Sequence, residues 1–458
     1  MKTLWQKEDT LDGIILDFTV GNDREIDSHF VKQDIIGTLG HILTLLKCKV
    51  LNNKECLILS RRLISLLKEH KKNNLKPNVI DEDVHSMLER ILVRDLGDIG
   101  KKVHTARSRN DQIATDVSLW IRSESLSLHR KVLTLSNLLM MASIKHKDRL
   151  LLGMTHLQPA MPSSIGAWLL GYSTLFVDDS YHLVNSYKSA SACPLGSAAG
   201  YGIPSDVIEL DRNYTSKILG FSRPLEPVTA VQGGRGKIES TTLFAMSQIS
   251  ITAARLARDL ILYSNPQFDF IKIPNNFTTG SSIMPQKRNP DVAELIRSSC
   301  HTIQACLQEV MSISGSVSTG YHRDFQRLKY PLVRGVELTK KVVDILIYIL
   351  PNIIFKKGKI ESACNHEIYA TKRALQLVSQ GMTFRDAYNH VAKEVENKRL
   401  PVVRGEKLPN IDNALLQIKA RLTQMSDWNN NISNYEKEIE NNLLNFFNYF
   451  WYLIKKEN

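Results

Sequence analysis

The feature that most constrains this chain is a long stretch, residues 101–152, with neither glycine nor proline. Because these two residues most often interrupt helices, their absence over such a length predicts one long helix. A helix of about 35 residues would extend about 50 Å, which is more than one small domain can cover. Apolar residues recur in this stretch mostly at steps of three, four or seven, the spacing of a helix face that packs on other helices: Ile113, Val117, Trp120, Ile121, Leu128, Val132, Leu135, Leu139 and Ala142.

The same helical periodicity recurs in four later stretches, at 237–265, 291–314, 332–350 and 370–398. Strand signals are weak between these stretches, because alternation of period two bounded by turn residues is hard to find. We therefore predict an all-α fold built on a central bundle of long helices.

Helix-interrupting residues near 99–110 and 351–358, among them Gly100, Pro351 and Gly358, suggest domain boundaries. We predict an N-terminal helical domain at 1–104, a central long-helix domain at 105–355 and a small C-terminal helical domain at 356–458.

Composition narrows the class of protein. Hydrophobic residues make up 43% and charged residues 23% of the 458 residues, values that argue against a disordered or fibrous chain. The six cysteines are scattered and form no Cys-x-x-Cys pair, which favours the reducing cytoplasm and argues against zinc. Charges interrupt the apolar stretch near the start, so we expect no secretory signal, and no uncharged apolar run reaches the length of a membrane span.

The net charge of +12 favours anionic ligands. Nucleic acid is one such ligand and a small polycarboxylate is another. Charge alone leaves both open, because the basic residues are spread along the chain without a long basic block.

The first chemically suggestive segment, His-Thr-Ala-Arg-Ser-Arg-Asn-Asp-Gln at 104–112, lies directly before the long helix. Ser108 and Asp111 have the spacing of a capping box, which would be a purely structural role. Arg109 and Asn110 can also make hydrogen bonds to carboxylates, which would be a substrate-binding role.

A second segment contains Thr155 and His156 and is followed by Pro-Ser-Ser at 162–164, which predicts the start of another helix. A lone histidine is usually structural, but a carboxylate that orients the imidazole makes it a useful acid or base. Upstream, Asp83 and His85 form a further small polar cluster.

The third segment, 278–294, is the most informative. Gly280 precedes paired serines in a predicted flexible loop that carries Ser281, Lys287 and Asn289. A proton-transfer group, a cation and an amide donor are what an enolate-like intermediate requires. The alternative is a surface loop with a helix cap.

The helix after this loop should begin with Asn289 as the N-cap and Pro290 as the first helical residue, with Glu294 in the first turn. A fourth segment follows Gly320 and places polar residues among apolar and basic ones: Tyr321, Asp324, Gln326 and Lys329. The Gly-Gly-Arg-Gly-Lys run at 233–237 is discounted as a phosphate loop, because no strand is predicted before it and Ile238 replaces the required hydroxyl residue.

The run Gly-Ser-Ser-Ile-Met-Pro-Gln-Lys-Arg-Asn at 280–289 resembles the loop GSSxMPxKxN shared by the fumarase and aspartase superfamily. Together with the segments at 104–112, 154–162 and 321–326, it resembles the argininosuccinate lyases rather than the fumarases, aspartases or adenylosuccinate lyases. The resemblance covers most of residues 1–355 and fades in the last hundred. It implies a homotetramer with a shared helical core, in which three chains assemble each active site.

The resemblance also implies an activity and residue roles. The reaction would be elimination of fumarate from argininosuccinate, with arginine as the other product. Ser281 would exchange the proton at Cβ of the succinyl group, Lys287 and Asn289 would bind a carboxylate, and His156 paired with Glu294 would be the second acid–base group. Which of Ser281 and His156 is base and which is acid stays open. Substrate-binding positions are implied at Asn110, Thr155, Tyr321, Gln326 and Lys329, and Arg109 joins them on its carboxylate-binding chemistry.

Three segments depart from the family pattern. Residues 231–235 read Val-Gln-Gly-Gly-Arg where the family usually has Ser-Asp-Arg-Asp after Ala-Val, and the tetrapeptide 321–324 keeps only its outer residues. The segment 18–24 looks two residues shorter and lacks the family's serine. The arginine end of the substrate is therefore expected to be held differently.

Three other readings compete with this one. A sister lyase acting on adenylosuccinate or aspartate is disfavoured by the run at 107–111, and a crystallin-like structural protein by the intact candidate catalytic residues. A nucleic-acid binder remains formally open. We expect a small-molecule substrate, no nucleic acid or membrane partner, and neither metal nor organic cofactor, because no ligand cluster or phosphate loop has the required spacing.

Overall fold

The computed structural model describes residues 12–401 and 408–457. Residues 1–11, where the predicted N-terminal domain begins, and residues 402–407 of the predicted C-terminal domain lie outside the described residues. Among the described residues, no helix combines the length and apolarity needed to cross a membrane.

The fold is almost entirely helical, as predicted. The helices of the N-terminal part and the first long helix are α1 Gly13–Val20, α2 Asp23–Ile26, α3 Val31–Lys47, α4 Asn53–Asn73, α5 Val84–Leu96, α6 Asp98–Lys101 and α7 Arg109–Lys145. The following helices up to residue 349 are α8 Ile165–Ser189, α9 Arg212–Ile218, α10 Thr229–Gly233, α11 Lys237–Ser264, α12 Asp291–Ser314 and α13 Lys329–Ile349. The last helices are α14 Lys357–Ala363, α15 Ala370–Ser379, α16 Phe384–Glu396 and α17 Asp412–Glu457.

The strands are short and pair two by two. They are β1 Leu150–Thr155 with β2 Gln158–Ser164, β3 Ala192–Cys193 with β4 Arg223–Pro224, β5 Ile271–Lys272 with β8 Ile354–Phe355, and β6 Thr279–Gly280 with β7 Arg288–Asn289. Only the β3–β4 pair is parallel. Short 3-10 turns cover Asp27–His29, Lys102–His104, Asn275–Phe277, Arg323–Leu328, Leu350–Asn352 and His366–Tyr369.

Helix α7 confirms the prediction from the glycine- and proline-free stretch. It has 37 residues and begins with Ser108 as a capping-box N-cap. Its predicted apolar face is buried or packs against the main core, which also includes α8, α11, α12 and α13. These helices form the central bundle, and α7 is long enough for its two ends to lie about 55 Å apart.

A second apolar cluster joins α3, α4 and α5 with residues near 193–221 and with the far end of α17. Helix α17 also packs along α7 and α8. On that path the buried Arg122 of α7 bonds Glu436, at 2.5 Å from Nη2 to the carboxylate, and the carbonyl of Gly220 at 2.7 Å. The C-terminal helix is thereby fixed to both the bundle and the N-terminal cluster.

Two helix predictions need correction. The stretch 370–398 is not one helix, because Gly381 takes a φ of 102° and ends α15 before α16 begins. Asn289 is not the N-cap of α12: it lies in β7, and Pro290 occupies the N-cap position without a side-chain cap bond. Ser164, by contrast, does cap α8, accepting a bond from the N–H of Ala167 at 3.0 Å.

Candidate functional site

The bundle presents functional residues at two opposite ends. The first, here called the cavity end, is where α7, α11 and α13 begin and α12 finishes. The second, the loop end, holds the β1–β2 hairpin, the loop 278–290 and the start of α12.

A cavity of about 180 Å³ lies at the cavity end. Five residues predicted to bind substrate line it, namely Arg109, Asn110, Tyr321, Gln326 and Lys329. The other lining residues are Val20, Asp23, Asp27, Glu82, Asp83, His85, Ile113, Arg235, Arg323 and Phe325. Sequence segments separated by some three hundred positions thus meet in one place, as the motif analysis predicts for this subset.

The capping box of α7 positions the first two cavity residues. Ser108 Oγ accepts the N–H of Asn110 at 3.2 Å, and Asp111 Oδ1 accepts the N–H of Ser108 at 3.0 Å. Asp111 Oδ2 also accepts the N–H groups of Gly196 and Ala198, each at 2.9 Å. Burial raises the pKa of Asp111 to about 6, and these N–H donors oppose the shift. The structural and functional readings of this segment are therefore compatible, since the cap places Arg109 and Asn110 on the cavity wall.

Arg109 has only part of its guanidinium engaged. Its Nη1 lies 2.5 Å from Glu82 Oε2 and 3.4 Å from Asp83 Oδ2. Its Nη2 is buried without a hydrogen-bond partner among the described residues. Because an unmade bond at a buried donor is costly, this atom is suited to receive an acceptor of a ligand.

Lys329 lies between two carboxylates. Its Nζ is 2.6 Å from Asp27 Oδ1 and 3.0 Å from Asp23 Oδ2, and the lysine side chain is 6% exposed. Burial disfavours the charged amine, but the two carboxylates outweigh burial and raise the pKa of Lys329. The lysine therefore stays cationic at the cavity wall.

The turn at 323–328 ties the cavity to the N-terminal segment. Gln326 Nε2 donates to the carbonyls of Thr19 at 2.7 Å and Val20 at 3.1 Å. Arg323 Nε donates to Gln326 Oε1 at 3.0 Å, and the ring of Tyr321 packs edge-on against Phe325. These bonds hold segment 18–24, which departs from the family pattern, against the cavity.

A buried charge network lies beneath the cavity. His85 Nδ1 is 3.1 Å from Asp34 Oδ2 and 3.7 Å from Asp116 Oδ2. Burial alone would raise the pKa of Asp34, but His85, Arg107 and Gln112 outweigh it and hold that pKa below its usual value. Burial lowers the pKa of His85, but Asp34, Asp83 and Asp27 together outweigh burial and raise that pKa above its usual value. Burial also raises the pKa of Asp116 well above normal.

Asp34, His85 and Asp116 offer three ligand atoms within 4.8 Å of one another, the single metal-type grouping among the described residues. The sequence analysis expected no such spacing, because the three residues come from three different helices. Asp34 is already satisfied by His85 and by Gln112 Nε2 at 3.0 Å. Asp34 is therefore held by protein donors, whereas the buried Asp116 Oδ2 has no hydrogen-bond partner among the described residues.

At the loop end, Thr155 and His156 lie on the β1–β2 hairpin, which the weak strand signals did not predict. His156 and Leu157 form its turn with φ angles of 54° and 58°, a left-handed backbone that is uncommon for residues other than glycine. Thr155, His156 and Leu157 are exposed. Strain of this kind in a candidate acid–base residue is typical of functional sites.

The loop 278–290 is held by the β6–β7 pair. Ser281 Oγ accepts the N–H groups of Ile283 at 3.3 Å and Met284 at 3.1 Å. Two donors aimed at one hydroxyl oxygen would favour its anionic form. Lys287 and Ser282 are exposed, and Ile283 is 85% exposed.

Lys287, Asn289 and Glu294 line a wide depression next to this loop, together with the end of α11. Hydrogen bonds and ring contacts place the hairpin at the same end of the bundle: the N–H of Ile165 bonds Arg149, and the His146 ring packs on Phe355. No hydrogen bond or ion pair joins His156 to Glu294 among the described residues. The expected pairing is thus absent within one chain.

The two ends are far apart. Asn110 lies in the first turn of α7, and the hairpin follows its last turn, so about 55 Å of helix separates them. Glu294 lies in the first turn of α12, whereas Ser314, the last residue of α12, lies next to Gly236 beside the cavity, about 30 Å away. One chain therefore holds two incomplete halves of the predicted site.

Sequence reasoning missed several cavity residues. Asp23 and Asp27 are four positions apart around a short helix, a spacing that places them on one side and could have identified them. Arg235, from the discounted 233–237 run, pairs with Glu239 at 3.2 Å and lies over the Phe325 ring. The run is a connection between α10 and α11 and not a phosphate loop.

Comparison with solved structures agrees with this architecture. An EDDS lyase in complex with formate matches 96% of this chain and 96% of its own, with a TM-score of 0.79 and 18% identity. A class II fumarase from Schistosoma mansoni covers 84% of this chain and 89% of its own, with a TM-score of 0.71 and 16% identity. The overall fold is therefore the one shared by these two solved structures.

Sequence comparison identifies the protein family. The family model described as lyase matches residues 52–305. Argininosuccinate lyase from Phocaeicola vulgatus is 38% identical over 393 residues, which is 86% of this chain and 87% of the relative. The chain belongs to the argininosuccinate lyase family of carbon–nitrogen lyases.

Proposed function

We propose that the protein cleaves the C–N bond of argininosuccinate by elimination, releasing L-arginine and fumarate. The observation that carries the proposal is the cavity, where Arg109, Asn110, Tyr321, Gln326 and Lys329 converge although they come from two segments more than two hundred positions apart. The residues assigned to proton transfer lie at the opposite end of the bundle, so a complete site requires more than one chain.

We propose the following chemistry for the loop end. A proton on the carbon next to a carboxylate is weakly acidic, so its removal requires stabilisation of the resulting aci-carboxylate. Ser281 exchanges this proton, and Lys287 and Asn289 bind the carboxylate on which negative charge develops. The two N–H donors on Ser281 Oγ support this role, because they stabilise an alkoxide.

His156, oriented by Glu294 of another chain, is the second acid–base group and acts at the guanidino nitrogen. Thr155 beside it contacts the substrate. The hairpin turn supports this role, since its two residues with left-handed backbone are exposed and therefore accessible to another chain. We assign neither Ser281 nor His156 exclusively as base or acid.

We further propose a homotetramer with composite sites. The separation of about 30 Å or more between the two half-sites supports it, because a helix has a fixed rise and cannot shorten to bring its two ends together. Light scattering should give a mass near four times 51.9 kDa. A monomer at micromolar concentration would contradict the composite site.

The three-domain division at 1–104, 105–355 and 356–458 is part of the proposal, as is a cytoplasmic location. The α7 cap at Ser108 and the end of β8 at Phe355 lie beside the two boundaries. The six cysteines are all unpaired, as suits a reducing compartment.

The direct test is to incubate the purified protein with argininosuccinate and follow the ultraviolet absorbance of fumarate. Adenylosuccinate and aspartate serve as matched substrates, because both would also release fumarate. Absorbance growth with argininosuccinate alone supports the proposal, whereas growth with another substrate identifies a sister lyase. If the absorbance increases with none of the three substrates, the remaining interpretation is a crystallin-like structural protein.

A further inference from the structure

The N-terminal segment that departs from the family pattern lies on the cavity wall. Thr19 and Val20 are bonded to Gln326, and Arg24 Nε donates to the carbonyl of Asp81 at 2.8 Å. Between these two attachments, α2 presents Asp23 to the cavity. A carboxylate therefore stands in the segment from which the family's serine is missing.

Asp23 is not needed to neutralise Lys329. The shorter contact of Lys329 is with Asp27, whose side chain is completely buried, whereas the Asp23 side chain is 16% exposed. Lys329 and Asp27 form a neutral pair without it. Asp23 is therefore a surplus carboxylate that can accept a bond from a ligand in the cavity.

The cavity offers both kinds of partner that an α-amino acid head group requires. Arg109 Nη2 is a buried donor without a partner, and Asn110 and Tyr321 add further polar groups at the wall. Asp83 is already bonded to the N–H of Ser86 and paired with Arg109. Asp23 is thus the carboxylate best placed for a ligand ammonium.

We propose that Asp23 binds the α-ammonium group of the arginine half of the substrate and so determines specificity at this end. This inference rests on the proposed function. It assigns the arginine end to the cavity end, leaving the basic Lys287 loop for the succinyl carboxylates.

The ionisation of Asp23 supports the assignment. Burial raises the pKa of Asp23 to about 7; Lys329 opposes the shift, and Asp27 and Asp83 reinforce it. A bound ammonium favours the ionised carboxylate, so affinity for arginine should rise as pH increases through about 7. The charged groups around the cavity that face Asp23 are Asp27, Lys329, Asp83, Glu82, His85, Arg109, Arg235 and Arg323.

The experiment compares two inhibitors of argininosuccinate cleavage in the full-length protein. L-Arginine carries the α-ammonium, whereas 5-guanidinopentanoate keeps the guanidinium, the carboxylate and the chain length but lacks the ammonium. The wild type should prefer L-arginine by about tenfold at pH 7.5, the size of one charge-assisted hydrogen bond, and less at pH 6. Asp23→Asn should lose both the preference and its pH dependence, and its KM for argininosuccinate should rise by a similar factor.

Glu25→Gln is the matched control, because Glu25 is an exposed acid on the same short helix. It should keep the wild-type preference. Asp23→Ser, which removes the charge but keeps a small polar side chain, tests the same point if the asparagine variant folds poorly.

Two results would overturn the inference. One is an Asp23→Asn enzyme that still prefers L-arginine. The other is a variant whose affinities for the two inhibitors fall by the same factor, as expected if Asp23 only positions Lys329. If the wild type cleaves no argininosuccinate, the proposed function fails, and calorimetric binding of the same two ligands then tests Asp23 separately.

Discussion

The cavity end and the loop end both contain well-defined motifs, but they differ in how deeply their functional side chains are buried. At the cavity end, Lys329 is buried between two carboxylates, and Arg109 is positioned by a capped helix. At the loop end, Lys287 is exposed, and His156 lies on an exposed turn. The cavity end is enclosed by residues of its own chain, whereas the loop end presents exposed groups. The difference supports the proposal that binding and proton transfer are supplied by different subunits.

The largest expected effect is at the loop end. Ser281→Ala should lower kcat by about three orders of magnitude or more, because it removes a group that acts in the transition state. Its stability should change by no more than about 0.5 kcal/mol, as for surface substitutions, when followed by thermal unfolding.

Ser282→Ala is the control for this prediction. The adjacent serine is exposed and shares the loop, so its loss should affect turnover far less. Near-normal turnover in Ser281→Ala, or a more damaging Ser282→Ala, would mean that proton transfer is assigned to the wrong residue.

Mixing variants tests whether the two ends belong to different chains in a working site. Asn110→Ala damages the cavity end and Ser281→Ala the loop end, and each homo-oligomer should be nearly inactive. After joint refolding in equal amounts, about a quarter of the sites should combine two intact halves and recover activity in proportion.

The control for the mixture is to refold each variant alone under the same conditions. A mixture no more active than its components would contradict sites shared between chains.

Stability should separate the two lysines. Lys329→Met leaves Asp23 and Asp27 without their cation and should reduce the free energy of unfolding by about 3–5 kcal/mol. Lys287→Met, at an exposed position, should change it by about 0.5 kcal/mol or less. Urea denaturation of both variants measures the free energy of unfolding. Equal losses in the two variants would show that the buried ion pairs of Lys329 stabilise the fold less than their geometry indicates.

The smallest expected effect is that of chelation. Since Asp34 in the buried network beneath the cavity is satisfied by protein donors, dialysis against EDTA should leave kcat and the melting temperature unchanged. Activity that disappears and returns with one added divalent ion would identify Asp34, His85 and Asp116 as ligands instead.

Local patterns predicted much of the fold. The 101–152 stretch predicted α7, the spacing of Ser108 and Asp111 predicted its capping box, and the run at 162–164 predicted the start of α8, because helix starts depend on neighbouring residues. The split at Gly381 shows the limit of periodicity, since one residue with positive φ ends a helix whose apolar spacing continues.

The site was less predictable, because its groups meet through tertiary contacts. The motifs identified Arg109, Asn110 and Lys329, but nothing local to Asp34, His85 and Asp116 indicates that three helices bring them together. The β1–β2 hairpin was missed because its proline-containing second strand lacks a clean alternation. By contrast, the distance between the two half-sites follows from the length of α7, which the sequence does predict.

Helix α17 also bears on how the chain matures during synthesis. Phe447 is completely buried in the cluster formed by α3, α4 and α5, and Trp451 Nε1 bonds Ser60 at 3.2 Å. The first helices to leave the ribosome must therefore wait for Phe447 and Trp451 before their apolar core is closed. Until then that surface is open to aggregation or chaperone binding, so a chain that stops before Phe447 would leave the N-terminal cluster uncovered.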